Sequence, residues 1–244
     1  MNQLHPQQVQ QRVKKHLPNA ITCANLFSGC LGIVFTFQHN LLFAAYAIFL
    51  AALFDFFDGF AARMLKSFSG IGKDLDSLAD MVSFGLLPAA ILYELFLESP
   101  QIEHISPYLN YIAFLIPVFS ALRLAKFNSD ERQAEIFIGL PTPANAILIA
   151  SFPLMLMSNN IFYREYILNP YFLACFTLIM CSLLVAEIPL MSLKFKSTDM
   201  QENIYRYLLL AVSVIAIVFF KFAAIPAIIF VYIAMSIIQF RIAK

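Results

Sequence analysis

The sequence predicts an all-α, polytopic transmembrane helical bundle of about eight spans. Three observations carry this. Of 244 residues, 61% are hydrophobic and only 13% charged, where a soluble domain carries about 25% charge. The apolar residues fall in long uncharged blocks: residues 16–54, 105–122, 140–163, 166–186, 207–220 and 222–240 contain no Asp, Glu, Lys or Arg. Several approach the ~20 residues that a helix needs to cross a bilayer.

Taken in order, the predicted spans cover roughly residues 18–38, 41–65, 73–97, 108–127, 142–158, 169–190, 204–220 and 223–241. Gln38-His39-Asn40 divides the first long block. The Ser67–Gly72 stretch separates the second span from the third, Pro141 and Pro143 open the fifth, and Lys221 marks the turn before the last. Residues 1–15 form a polar, Gln-rich segment, and 16–244 read as one membrane domain. The first block is not a cleaved signal peptide, because it begins late and runs straight into further apolar sequence.

Lysine and arginine set the expected orientation. With the N-terminus inside, fourteen of the 16 basic residues fall on the cytosolic side and only Arg164 and Lys221 outside. Both termini are then cytosolic. Cys23, Cys30, Cys175 and Cys181 form no CxxC pair and read as small buried hydrophobes. Net charge is +1, which gives no reason to expect nucleic acid. Phe is abundant, at 26 residues, and reads as lipid-facing bulk and core.

Against this background residues 55–80 stand out, with five aspartates, two lysines and an arginine. Asp55 and Asp58 are three apart on span two, with Gly59 and Ala62 on the same face. Asp76 and Asp80 are four apart on span three, so four carboxylates converge near one membrane boundary. Bare carboxylates at that depth are costly, and a divalent cation relieves the cost. All-oxygen ligation suits Mg²⁺ or Mn²⁺, with Ca²⁺ as a further candidate occupant. Gly59 and Ala62 leave room for a ligand beside the carboxylates; tight helix packing is the plainer alternative. Asp74 is expected to cap span three.

The pattern Asp55-x2-Asp58-Gly59-x2-Ala62-Arg63-x8-Gly72-x3-Asp76-x3-Asp80 resembles the signature of the CDP-alcohol phosphotransferase family. Residues 76–89, 121–128 and 139–144 are similar to the serine-accepting branch of that family, as are Leu17–Thr22 and Asn25–Gly29. Lys126 and Asn145 depart from it, where the family often has Arg and Ala. The resemblance covers roughly residues 16–190 and leaves the last two spans without a motif.

The resemblance implies transfer of a phosphatidyl group from CDP-diacylglycerol to the hydroxyl of L-serine, with release of CMP. It implies a two-metal site: Asp55, Asp58 and Asp76 for one ion, Asp55, Asp76 and Asp80 for the other. Asp80 is the implied general base. Gly59, Ala62 and Arg63 match positions that contact the CMP moiety, and Gly72 allows a tight turn before span three. Thr22 and Asn25, on a polar stripe with Ser28, either line the nucleotide pocket, the favoured reading, or bond across helices. Arg123 is expected to bind phosphate or the serine carboxylate. Lys126 is a further substrate-binding candidate, weighed equally against simple anchoring. The basic-residue bias places the Asp55–Asp80 cluster on the cytosolic side of a multi-pass protein, expected in a bacterial inner membrane, and the family implies a homodimer.

Two rivals remain open. Another acceptor, glycerol 3-phosphate, inositol phosphate or choline, would use the same reactive core. A divalent-cation transporter would be a different class, and it predicts acids spread along the membrane depth rather than gathered at one end.

Overall fold

The computed structural model describes residues 6–67, 70–100, 108–130, 137–158, 160–191 and 203–242. The helices are α1 (Pro6–Phe37), α2 (Leu41–Met64), α3 (Gly70–Asp80), α4 (Leu87–Glu98), α5 (Leu115–Ser129), α6 (Thr142–Leu156), α7 (Ile161–Ile167), α8 (Pro170–Val185), α9 (Ile204–Phe220) and α10 (Ala224–Ile242). A π-helical turn, Met81–Leu86, joins α3 to α4, and a 3₁₀ turn, Leu109–Phe114, leads into α5. Two short strands, β1 (Phe137–Ile138) and β2 (Pro189–Leu190), pair antiparallel.

Each predicted span has a helical counterpart. Residues 16–37, 41–64, 70–98, 109–129 and 204–240 are long and apolar enough to cross a membrane. Helices α7 and α8 add a sixth crossing if their 65° bend is counted within one span. The shorter α6 is apolar too. The 37-residue stretch Ile204–Phe240 contains both α9 and α10. As one straight helix it would run about 55 Å, nearly twice the ~30 Å hydrocarbon core. Lys221, at φ 49°, and a 3₁₀ turn break it, and α9 and α10 touch across the break. The protein is an integral membrane protein of many apolar helices.

Helices α1 and α2 form a closely packed hairpin. Its turn follows the sequence: His39 adopts φ 55°, and the Asn40 side chain accepts from the Phe43 amide. The close approach needs small residues, because between lipid-solvated helices packing replaces the hydrophobic drive. Ala44, Ala45, Ala47 and Ala51 are buried along α2. On α1, a Cβ on Gly32 would stand 2.9 Å from Ala47 Cβ of α2, and it would also collide with Leu87 of α4; one on Gly29 would collide with Ser83 of the π turn. Far from the aspartates, Glu94 of α4 is buried and meets His39 Nδ1 at 2.9 Å, which ties the hairpin turn to α4. Phe27, Phe56, Phe60 and Phe219 point outward, as lipid-facing side chains do.

The structure corrects three expectations. Gly72 lies within the first turn of α3, which begins at Gly70, and so makes no turn before the span. Helix α3 begins at Gly70, so exposed Asp74 sits in its second turn and does not cap it. Cys23, Cys30 and Cys175 are exposed on the outer surface, and only Cys181 is buried. Of the basic residues expected inside, Arg132, Lys194, Lys196 and Lys244 lie outside the described residues, as do residues 1–5 of the polar segment.

Candidate active site

Asp55 and Asp58 come from the last turns of α2, and Asp76 and Asp80 from the last turns of α3. Oxygens of Asp55, Asp76 and Asp80 lie within 4.8 Å of one another. Asp58 stands outside this triad; it is buried, and its Oδ2 has no partner. Among the described residues, none of the four aspartates forms an ion pair with a lysine or arginine. Three converging carboxylates with no ion pair among the described residues, plus a buried orphan oxygen beside them, form a donor set that fits a hard divalent cation.

Two cavities meet at these carboxylates. The smaller, about 210 Å³, is lined by Thr22 and Asn19 of α1, by Asp58, Gly59 and Ala62 of α2, and by Gly72 and Asp76 of α3. The larger, about 550 Å³, is lined by all four aspartates, Gly59, Arg63, Arg123, Phe127 and Tyr232. Asp58, Gly59 and Asp76 belong to both. At Gly59 an added Cβ would meet only the Arg63 guanidinium, at 3.5 Å. The glycine therefore keeps open a surface that both cavities share.

Helix α1 positions Asp80. Asn25 Nδ2 donates to Asp80 Oδ1 at 3.5 Å, and the buried Ser83 hydroxyl donates to the Asn25 carbonyl at 3.0 Å. Ser83 lies in the π turn directly after Asp80. Such turns concentrate at functional sites, because one widened turn re-aims the side chains around it. Gly29 is what lets the turn approach α1 this closely.

Helix α5 is latched to α3 from the other side. Lys73 Nζ donates to the Asn128 carbonyl at 2.9 Å, and Asn128 Nδ2 donates to Ser77 Oγ at 2.7 Å. Arg123, 6% exposed, thereby faces the aspartates. One of its terminal nitrogens donates to Thr142 Oγ1 at 3.5 Å, and its guanidinium stands 5.2 Å from the Phe127 ring centroid. Its buried Nε has no partner. Thr142 is held by the turn before it. Gly139 has φ 75°, and a Cβ there would stand 2.7 Å from the Leu184 carbonyl oxygen.

Asp55, Asp58, Asp76, Asp80, Thr22, Gly59, Ala62, Arg63, Gly72 and Arg123 thus line one or both cavities, and Asn25 touches Asp80. Lys126 lines neither; it is exposed, although Arg123 lies one turn away. Ser28 bonds back to the Ala24 carbonyl. The sequence reading did not single out Tyr232, Phe127 or Ser83. The i, i+4 polar pair Tyr232 and Ser236 in apolar α10 was the available signal for the first.

A family model described as CDP-alcohol phosphatidyltransferase matches residues 15–186. The chain is 36% identical over 129 residues to a CDP-diacylglycerol–serine O-phosphatidyltransferase of Bacillus subtilis, covering 52% of this chain and 70% of that protein. It is 30% identical over 223 residues to the Mycobacterium leprae protein of the same name, covering 88% of this chain and 71% of the relative. It is 35% identical over 138 residues to an archaetidylserine synthase of Methanothermobacter thermautotrophicus, covering 56% and 57%.

Proposed function

Because the chain belongs to the CDP-alcohol phosphatidyltransferase family, we propose that it transfers the phosphatidyl group of CDP-diacylglycerol to the hydroxyl of L-serine and releases CMP. The observation that carries this reading is the convergence of Asp55, Asp76 and Asp80 in the cavity that holds Arg123, which shares Asp58, Gly59 and Asp76 with a smaller cavity lined by Ala62 and Gly72. Relatives named as serine O-phosphatidyltransferases and as an archaetidylserine synthase support serine as the acceptor.

In this reading the smaller cavity takes the cytidine monophosphate moiety. Its glycine-lined wall lets a flat base or a phosphate approach the α2 backbone. The larger cavity takes the reacting diphosphate, the lipid and the serine. Asp80 accepts the proton of the serine hydroxyl. It is buried, it holds the hydrogen bond from Asn25, and it shares the cavity with Arg123. The serine oxygen forms a bond to the phosphorus that carries diacylglycerol, the bond from that phosphorus to the CMP oxygen breaks, and CMP leaves. Arg123 offers a planar fork to the serine carboxylate or to a phosphate.

The family is divalent-metal dependent in general, and the donor set here suits Mg²⁺ or Mn²⁺. Asp55, Asp58 and Asp76 would hold one ion and Asp55, Asp76 and Asp80 a second. Bound there, the ions supply charge neutralisation to the diphosphate and to the leaving CMP.

The aspartate end carries Arg63, Lys66, Lys73, Arg123 and Lys126, while Arg164 and Lys221 mark the other end. This bias supports a cytosolic site in a bacterial inner membrane. By family analogy the working unit is a homodimer.

The test is CMP release from CDP-diacylglycerol in detergent micelles, with serine, glycerol 3-phosphate, inositol and choline supplied in parallel. Serine-dependent release, abolished in Asp80→Asn, is the expected result. Release only with another acceptor overturns the serine assignment.

A further inference from the structure

Helix α10 lies beyond the residues that the family model matches, yet one of its side chains enters the site. Tyr232 is 8% exposed and lines the larger cavity with Asp80, Arg123 and Phe127. Its hydroxyl donates to the Met191 carbonyl at 2.9 Å. One turn on, Ser236 Oγ accepts from the Met191 amide at 3.1 Å and donates to the Tyr232 carbonyl at 2.7 Å. Both backbone polar groups of Met191 are therefore held by α10.

Met191 directly follows β2, which pairs with β1, and β1 leads into the Gly139–Thr142 turn that Arg123 touches. The clamp thus ties α10 to the same wall of the cavity as Arg123. A helix serving only to fill lipid-facing volume needs no such anchorage. With its hydroxyl committed to Met191, the tyrosine ring is fixed in one place. The space beside the guanidinium is then bounded by Tyr232 and Phe127, with Pro141 and Pro143 completing the wall.

We propose that Tyr232 is a specificity-determining residue for the acceptor alcohol: its ring, locked by the Met191 clamp, caps the space beside Arg123 so that a small amino alcohol bearing a carboxylate fits and a bulkier phosphorylated or polyol acceptor is refused. The proposal rests on the serine reading above. A rigid aromatic wall discriminates by size, while Arg123 supplies the charge that selects the carboxylate.

The test measures CMP release by the full chain in CDP-diacylglycerol micelles, with serine, glycerol 3-phosphate and inositol as acceptors. Tyr232→Phe keeps the ring and frees it from Met191. It should raise the KM for serine by about 3- to 10-fold while the KM for CDP-diacylglycerol moves less than about 2-fold. Tyr232→Ala opens the wall and should lower the preference for serine over glycerol 3-phosphate by about 10-fold or more. If the alanine variant does not fold, Ser236→Ala replaces it; it loosens the clamp and should shift the serine KM in the same direction as Tyr232→Phe. An equal loss with every acceptor, or a parallel rise in both KM values, makes Tyr232 merely structural and overturns the proposal. So does an unchanged serine KM in both Tyr232→Phe and Ser236→Ala. Wild-type protein without serine-dependent release would sink the serine reading along with it, whereas serine-dependent wild type with uniformly impaired variants would sink this inference alone.

Discussion

Asn25 of α1 donates its amide to Asp80 of α3 at 3.5 Å, and its backbone carbonyl accepts the Ser83 hydroxyl one turn further on. Asn25 is fully buried, and its Oδ1 has no partner. One side chain from the first helix thereby sets the carboxylate assigned the proton-accepting role. Asn25→Ala should lower kcat by about 10-fold or more, with the KM for CDP-diacylglycerol changing little, because a misplaced base costs rate rather than affinity. Steady-state kinetics with both substrates varied checks this. A normal kcat would mean that Asp80 holds its position without α1.

The contact between α1 and the π turn predicts an intolerance at Gly29. An added Cβ would stand 2.9 Å from Ser83 Cα, a backbone atom that cannot swing aside. Gly29→Ala should destabilise the protein by about 1–3 kcal/mol and reduce turnover together with stability, since Asp80 precedes that turn. Thermal unfolding in detergent, alongside CMP release, measures both. Ser83→Gly in the same chain should restore part of the stability.

The turn before α6 predicts another loss. Gly139, at φ 75°, has the Leu184 carbonyl 2.7 Å from where a Cβ would be. Gly139→Ala should cost about 1–3 kcal/mol through strain and collision. Because Thr142 follows this turn and meets Arg123, the variant should also raise the KM for the acceptor more than that for CDP-diacylglycerol. An unchanged acceptor KM would separate the turn from the cavity.

Arg123 and Lys126 lie one helical turn apart and predict opposite outcomes. Arg123→Lys keeps the charge and loses the fork, and it should raise the acceptor KM by about 10-fold or more. Lys126→Ala removes an exposed charge from outside both cavities and should weaken the acceptor far less. Equal effects at the two positions would contradict the observed burial.

The bundle was legible in the sequence because uncharged blocks and interrupting polar residues act locally. His39-Asn40 and Lys221 break helices where they stand, and the spacing of Asp55, Asp58, Asp76 and Asp80 puts each pair on one helical face. What stayed hidden depends on packing between distant segments. Lys126 shares a helix with Arg123, but rotation about α5, fixed by the Lys73–Asn128 latch, turns only Arg123 inward. The π turn after Asp80 has no composition signature. Tyr232 enters the cavity only because residues 41 positions apart meet at Met191. Asp74 missed the helix start because α3 extends back to Gly70, where the sequence offered a glycine-rich loop.

The most direct test of the central claim is CMP release from CDP-diacylglycerol with and without L-serine, for wild type and Asp80→Asn, before and after treatment with EDTA. The account predicts serine-dependent release by wild type, its loss in Asp80→Asn, and its loss on chelation with recovery on adding Mg²⁺ or Mn²⁺. Serine-dependent release that survives in Asp80→Asn, or that EDTA leaves intact, would contradict the account.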